Sequence, residues 1–199
     1  NINKLEQKKF IYNIEEKFYL YNKTRLKLTY ILYFNKSAKF LREKSDFLNH
    51  SLLDIHIDAI KDLSSLECSK VIESNNVDLF KATETFQRSL MGFKFLKGIF
   101  PYFHPNHDDI ISYWVDNDCT VELILPDEVS EAVKNFIIDY VPKSQGVKNR
   151  FVKLKPNDHN IEFAFTVSDK CFVAAFYTKN HQFNQNSVLV STNEEAINF

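Results

Sequence analysis

Glycine is scarce in this chain, 3 residues in 199, and none stands in a GxGxxG or GxxxxGK arrangement. The backbone-amide cradles that hold phosphates in nucleotide folds need such glycines, so enzymes of those types are excluded. Cysteine is as sparse. Cys68, Cys119 and Cys171 make an odd number with no CxxC spacing, which argues against a disulfide framework and a thiolate zinc site and fits a reducing cytoplasm. No apolar run approaches the ~18 residues of a membrane span, and the opening NINKLEQKKF holds no apolar signal-peptide core. Net charge is lacking too. At -1, with a pI near 6.7, no global field draws the molecule to nucleic acid, so any such affinity must come from a local patch. No motif implies a cofactor.

What the chain does have is aromatic residues, 19 Phe and 9 Tyr, whose first use is a Phe-rich core rather than a stacking surface. At 23.4 kDa one sizeable core with a small appendage is expected. Its centre is Ile161–Tyr177, which reads as two strands joined by a turn at Ser168–Asp169–Lys170. In the first strand Ile161, Phe163, Phe165 and Val167 alternate with Glu162, Ala164 and Thr166, the period of two that a half-buried strand requires. The second run, Cys171–Tyr177, is apolar almost throughout, as suits a strand covered on both faces.

Residues 1–23 differ in composition, with Lys4, Lys8, Lys9, Lys17 and Lys23 crowded together. They read as a short helix ending near Lys9, then two brief strands with Glu15–Glu16 at the turn. Such a string matches either the end of a winged helix, recognition helix then wing, or a hairpin that caps the core. Residues 24–49 carry the longest helical signal. Leu26, Tyr33, Phe40 and Phe47 recur every seven residues, with Phe34, Leu41 and Leu48 beside them, an apolar stripe that packs either on its own domain or on a second subunit. Residues 50–199 form the main domain. Asp78 is placed to cap a helix bearing Leu79, Ala82, Phe86, Leu90 and Phe93, and Phe95–Tyr102 reads as a strand. Asp108–Asp116 follows as a helix, Val121–Leu125 as a strand, and Asp127 caps an amphipathic helix through Val141. Phe151–Leu154, the central hairpin, Ser187–Val190 and a last helix begun at Ser191–Glu194 complete an α/β pattern: a mixed sheet with helices on both faces, partly parallel, then antiparallel.

Chemistry-bearing residues are few. His104 and His107, beside Asp108 and Asp109, sit at the carboxyl end of a strand, where open α/β sheets place ligands, but no metal-ligand spacing accompanies them. There is no GxSxG elbow, Cys171 opens a buried strand, and Asp169 is accounted for by its turn.

The order of FLNHSLLDI, LFKATETFQRSLMGFKFLKGIFPYFHP, TVELILPDEV and FTVSDKCFVAAFY…LVSTNEEAI resembles the ligand-sensing region of archaeal winged-helix transcriptional regulators, the methanogenesis regulatory protein family, from about Phe47 to Ile197. His56 departs from the pattern, since that family has proline there. The resemblance implies that residues 1–23 are the remnant of a winged helix, with Lys4, Lys8, Lys9 and Lys17 contacting DNA phosphates, and that the piece at hand binds DNA weakly or not at all. The order is also similar to one half of a phospholipase D-like fold. That chemistry needs His-x-Lys, and none of the 6 histidines is followed two residues on by lysine, so the resemblance implies a non-catalytic domain.

The expectation is therefore a regulatory domain that binds an unknown small molecule at the carboxyl edge of its sheet, through Phe103, His104, Tyr113 and Asp127. It acts as a homodimer joined through Tyr33, Phe40 and Phe47, and passes its signal along the long helix. The rivals are a degenerate hydrolase or nuclease built on His104, Asp108 and Asp169, and a purely structural dimerisation module.

Overall fold

The computed structural model describes residues 2–49, 60–102, 106–140, 152–157, 161, 163–178 and 180–198. The expected loop candidates Phe103 and His104, and the segment around His50–His56, lie outside them. At the amino end come helix α1 (Ile2–Gln7), strands β1 (Ile11–Ile14) and β2 (Lys17–Leu20), and helix α2 (Asn22–Glu43). Then follow α3 (Ser45–Asn49), α4 (Ile60–Leu63) with a 3-10 turn Ser64–Leu66, β3 (Lys70–Glu73), α5 (Lys81–Ser89), β4 (Phe95–Ile99) and α6 (His107–Asp116). The chain closes with β5 (Thr120–Pro126), α7 (Asp127–Tyr140), β6 (Val152–Asn157), β7 (Phe163–Ser168), β8 (Phe172–Phe176), β9 (Ser187–Ser191) and α8 (Glu194–Ile197).

Among the described residues seven strands form one mixed sheet in the order β3-β9-β8-β7-β4-β5-β6. β4, β5 and β6 run parallel, as their helical crossovers require, and the remaining pairs are antiparallel. The hairpin β7–β8 lies in the middle, and Phe172, Val173, Ala174 and Ala175 of β8 are all buried, as the unbroken apolar run predicts. On one face α5, α6 and α7 pack through Phe86, Ile111, Trp114 and Val133 onto Leu96, Leu123 and Val173. On the other, Phe40 of α2 and Phe47 of α3 join Leu63 and Leu66 against Phe172, Ala174 and Leu189.

Several expectations needed correction. Lys70–Glu73 is a strand that period-two reasoning misses, because it is four residues long and its apolar pair is adjacent, not alternating. Asp78 does not cap α5. Asn75 takes the Asp78 N–H into a turn through its side-chain oxygen, and one early amide of α5, that of Ala82, donates instead to Ser74 Oγ at 3.1 Å. The long helix also ends sooner than expected, at Glu43, with Lys44 breaking it before α3.

In β7 the fully covered face is the small one, Ala164, Thr166 and Ser168, while Phe163, Phe165 and Val167 are half-covered. Small side chains there let Gly98 of β4, and Phe100 just after it, approach. Thr166 is buried with its hydroxyl unpartnered, a desolvated polar group with nothing gained in return. Thr166→Val is therefore expected to raise stability by about 1 kcal/mol, read as a rise in the urea midpoint at constant slope.

Candidate functional site

At the carboxyl end of β4 a cleft of about 280 Å³ opens between α5 and the segment after β8. Its walls are aromatic: Phe86 from α5, Tyr102 after β4, and Phe183. The rings of Tyr102 and Phe183 meet edge to face at 4.5 Å, and Phe183 meets Tyr177 at 5.7 Å. The rim is neutral and polar, with Thr83, Gln87, Asn106 and Gln185. Thr83 Oγ1 donates to the Gln185 carbonyl at 3.2 Å, fastening the segment to α5. Asn184 is locked in its own loop, donating to Ser187 Oγ and accepting from the Asn186 N–H.

Beneath the cleft, sharing Phe86 and Tyr102 with it, lies a narrow apolar recess of about 30 Å³ reaching Ile111, Leu123, Leu125 and Trp114. His107 stands at its mouth, its Nε2 2.8 Å from Asp108 Oδ1. The single tryptophan is fixed by its Nε1–H, which donates to the Leu90 carbonyl at 2.7 Å. Burial, with Tyr177 nearby, pushes the Tyr102 phenol well above its ordinary range, so it stays a neutral hydroxyl.

A second concavity, a broad open trough, lies on the opposite face, where the second helical layer stops short of β4 and β5. It is floored by Ile99, Ile124, Phe165 and Val167, and its Lys97 and Glu122 pair with each other at 3.6 Å.

Of the expected ligand residues, the two that are described, Tyr113 and Asp127, line neither place. Tyr113 belongs to the other end of the sheet: its hydroxyl accepts from the Gly92 N–H at 3.0 Å, where Gly92, at φ 73°, bends the chain before β4. α6 begins at the carboxyl edge, but six residues carry it about 9 Å back. Asp127 is exposed at the first residue of α7, where its charge suits the helix amino end, and it takes no part in the cleft wall. Asp169 is likewise at the amino end. Its Oδ1 accepts from the Lys94 N–H at 3.0 Å, while the hairpin turn itself is closed by Ser168 Oγ, which accepts from Lys170 and Cys171. Asp169 and Asp108 thus stand at opposite ends of β4, about 16 Å of strand apart, which removes them as partners in one hydrolytic site. Asp169→Ala is expected to cost about 1.5–3 kcal/mol, checked by chemical denaturation. Cys171 is half-buried with its thiol pushed up by burial, consistent with a packing role. Phe86, Tyr102 and Phe183 were not singled out as site residues, since Phe86 fits the core face of α5 and Phe183 lies in a segment with no period. The cluster of aromatics around HPNH was the available signal.

At the amino end, Lys4 on α1, Lys8 and Lys9 in the turn after it, and Lys17 opening β2 are all exposed. Glu15 and Glu16 form the hairpin tip with φ 49° and 61°, so the tip itself is acidic. Of the expected dimer residues, Phe40 (1% exposed) and Phe47 (8%) are spent inside their own chain, whereas Tyr30 (70%) and Phe34 (62%) stand bare on the first part of α2. Tyr33, the third expected dimer residue, is half-buried on that same first part.

The middle domain of the methanogenesis regulatory protein FilR1 matches residues 79–199, more than half of the chain. The chain belongs to that family. Its regulatory character comes with the family, and no helix among the described residues is long and apolar enough to cross a membrane. Among curated proteins none matches. Of solved structures, TrmBL2, an archaeal chromatin protein with a novel mode of DNA binding, aligns at 13% identity and TM-score 0.48 over 99% of this chain and 74% of that one. The phospholipase D family member Nuc from Salmonella typhimurium aligns at 10% identity and TM-score 0.42 over 65% of this chain and 88% of that one.

Proposed function

We propose that this FilR1-family chain is the effector-sensing part of a transcriptional regulator, taking a small molecule into the aromatic cleft and passing the change to a DNA-binding winged helix, of which residues 1–23 are the closing stretch. The observation that carries this reading is a back-to-back pair. Tyr177 meets Phe183 of the cleft, while its neighbour Phe176 points to the other face and meets the ring of Phe47 on α3 at 5.4 Å. The last residue of β8 and the one after it thus touch the helical layer holding α2 on one side and the cleft on the other. Lys36 and Lys39 of α2 tie that layer down further, at 2.9 Å to Glu195 and 2.8 Å to Glu67. Lys39 holds the Glu67 carboxyl below its ordinary range, so this contribution is present at neutral pH and fades as pH falls through that lowered value. Coupling requires two arrangements with different ligand affinity, and a ligand shifts them only by that difference.

Dimerisation through the bare part of α2 would pair two such heads, and Lys4, Lys8, Lys9 and Lys17 would contact phosphates, adding affinity without sequence choice. With an acidic hairpin tip, the 199-residue chain alone is expected to bind duplex DNA weakly or not at all, and nanomolar sequence-selective binding in a gel-shift titration would defeat that. Native mass spectrometry of protein purified from its own host tests the whole reading: two chains carrying a retained metabolite support it. Bare chains whose Trp114 emission no metabolite extract alters would leave the dimerisation module as the better account.

A further inference from the structure

Resting on the sensing role proposed above, we infer that the cleft between α5 and the 183–185 loop takes an uncharged heteroaromatic ring carrying hydrogen-bonding groups along one edge. Charge decides first. Among the described residues no lysine, arginine, aspartate or glutamate lines the cleft or the recess beneath it, so a carboxylate or phosphate entering would shed its hydration and meet no cation from them. The titratable groups do not change this. Tyr102 is kept a neutral hydroxyl by burial, and His107 already faces Asp108.

Shape decides next. Phe86, Tyr102 and Phe183 supply ring faces and edges, and Phe86 and Phe100 already stand edge to face at 6.0 Å. Another flat ring inserted among them gains the same edge and offset contacts. At about 280 Å³ the space lies at the lower end of ligand pockets, enough for one ring system and too small for a dinucleotide. The recess below, about 30 Å³ and apolar, accepts a methyl group or ring edge. The rim decides the last point. Gln87, Asn106 and Gln185 are amides, and an amide side chain carries two N–H donors and an acceptor with two lone pairs, so one bond within the chain leaves capacity to meet a ring edge on which lactam N–H and C=O alternate.

The test is calorimetric titration of the 199-residue chain with uracil, hypoxanthine, orotate and glucose, repeated on Thr83→Trp, which fills the cleft from the half-exposed face of α5, and on Phe183→Ala. Uracil or hypoxanthine should bind, with orotate at least 30-fold weaker although it differs from uracil only by a carboxylate. Binding should be lost in Thr83→Trp and weakened about tenfold in Phe183→Ala. Orotate binding as tightly as uracil, glucose binding where neither base does, or base binding unchanged in Thr83→Trp each overturns the assignment while leaving the sensing role standing. If no probe binds, the molecule retained by host-purified protein decides: a neutral heteroaromatic supports the assignment, a charged or non-aromatic one overturns it, and none at all removes the sensing role with it.

Discussion

Replacing Phe40 by alanine is expected to lower the unfolding free energy by about 3–5 kcal/mol and to leave subunit association unchanged. Phe40 is among the largest fully buried side chains and lies against Leu63, Phe172 and Leu189. Its removal forfeits the transfer of a whole ring and leaves a hole between a helix and a strand, which cannot close on it. Phe34→Glu is the opposite case. Six residues earlier on the same helix, its ring is bare, so stability should move by no more than about 0.5 kcal/mol, whereas any dimer should shift toward monomer. Urea unfolding followed by Trp114 emission gives the first quantity and sedimentation velocity the second. A Phe40→Ala chain that folds as firmly as the parent but falls apart into monomers would reverse both assignments.

Gly98→Val should cost about 3 kcal/mol. A Cβ at Gly98 would stand 3.0 Å from the Phe165 carbonyl oxygen, 3.0 Å from the Phe100 ring and 3.2 Å from the Thr166 methyl. A ring end can swing aside, but the carbonyl belongs to the neighbouring strand, paired through Gly98↔Thr166, and moves only if the ladder moves. Valine adds two further methyl groups to that crowding. Since Phe100 borders the recess under the cleft, the variant should also blunt ligand response in whatever fraction remains folded, which thermal unfolding with and without ligand would reveal.

These contrasts mark where sequence reasoning reaches and where it stops. The hairpin β7–β8 was legible because an alternating run beside an unbroken apolar one has few other solutions, and both strands lie at the middle of the sheet. Which face of β7 would be covered was not legible: alternation names two sets of side chains, and the choice went to Ala164 and Thr166 because α5–α7 dock there. The same holds for the seven-residue stripe of α2. Its period identifies a face, not an owner, so Phe40 and Phe34 look alike in sequence though one is core and the other surface. Of the expected site residues, Phe103 and His104 lie outside the described residues, and Tyr113 and Asp127 stand away from the cleft. The rule that ligands lie beyond carboxyl strand ends names the edge where the aromatic cleft opens, but Tyr113 rides α6 back to the far end, and Phe183 arrives from a non-periodic segment that only the folded chain brings beside Tyr102.

The division of α2 has a mechanical meaning. Its 22 residues make a rod about 33 Å long, clamped at one end by Phe40, Lys36 and Lys39 and, among the described residues, largely exposed over roughly its first 20 Å. A rod held this way multiplies angles into distances: a tilt of about 5° at the clamp displaces the free end by about 2 Å, given that length. A tilt of that size at the clamp would therefore move whatever α2 carries at its tip by more than half a hydrogen-bond length.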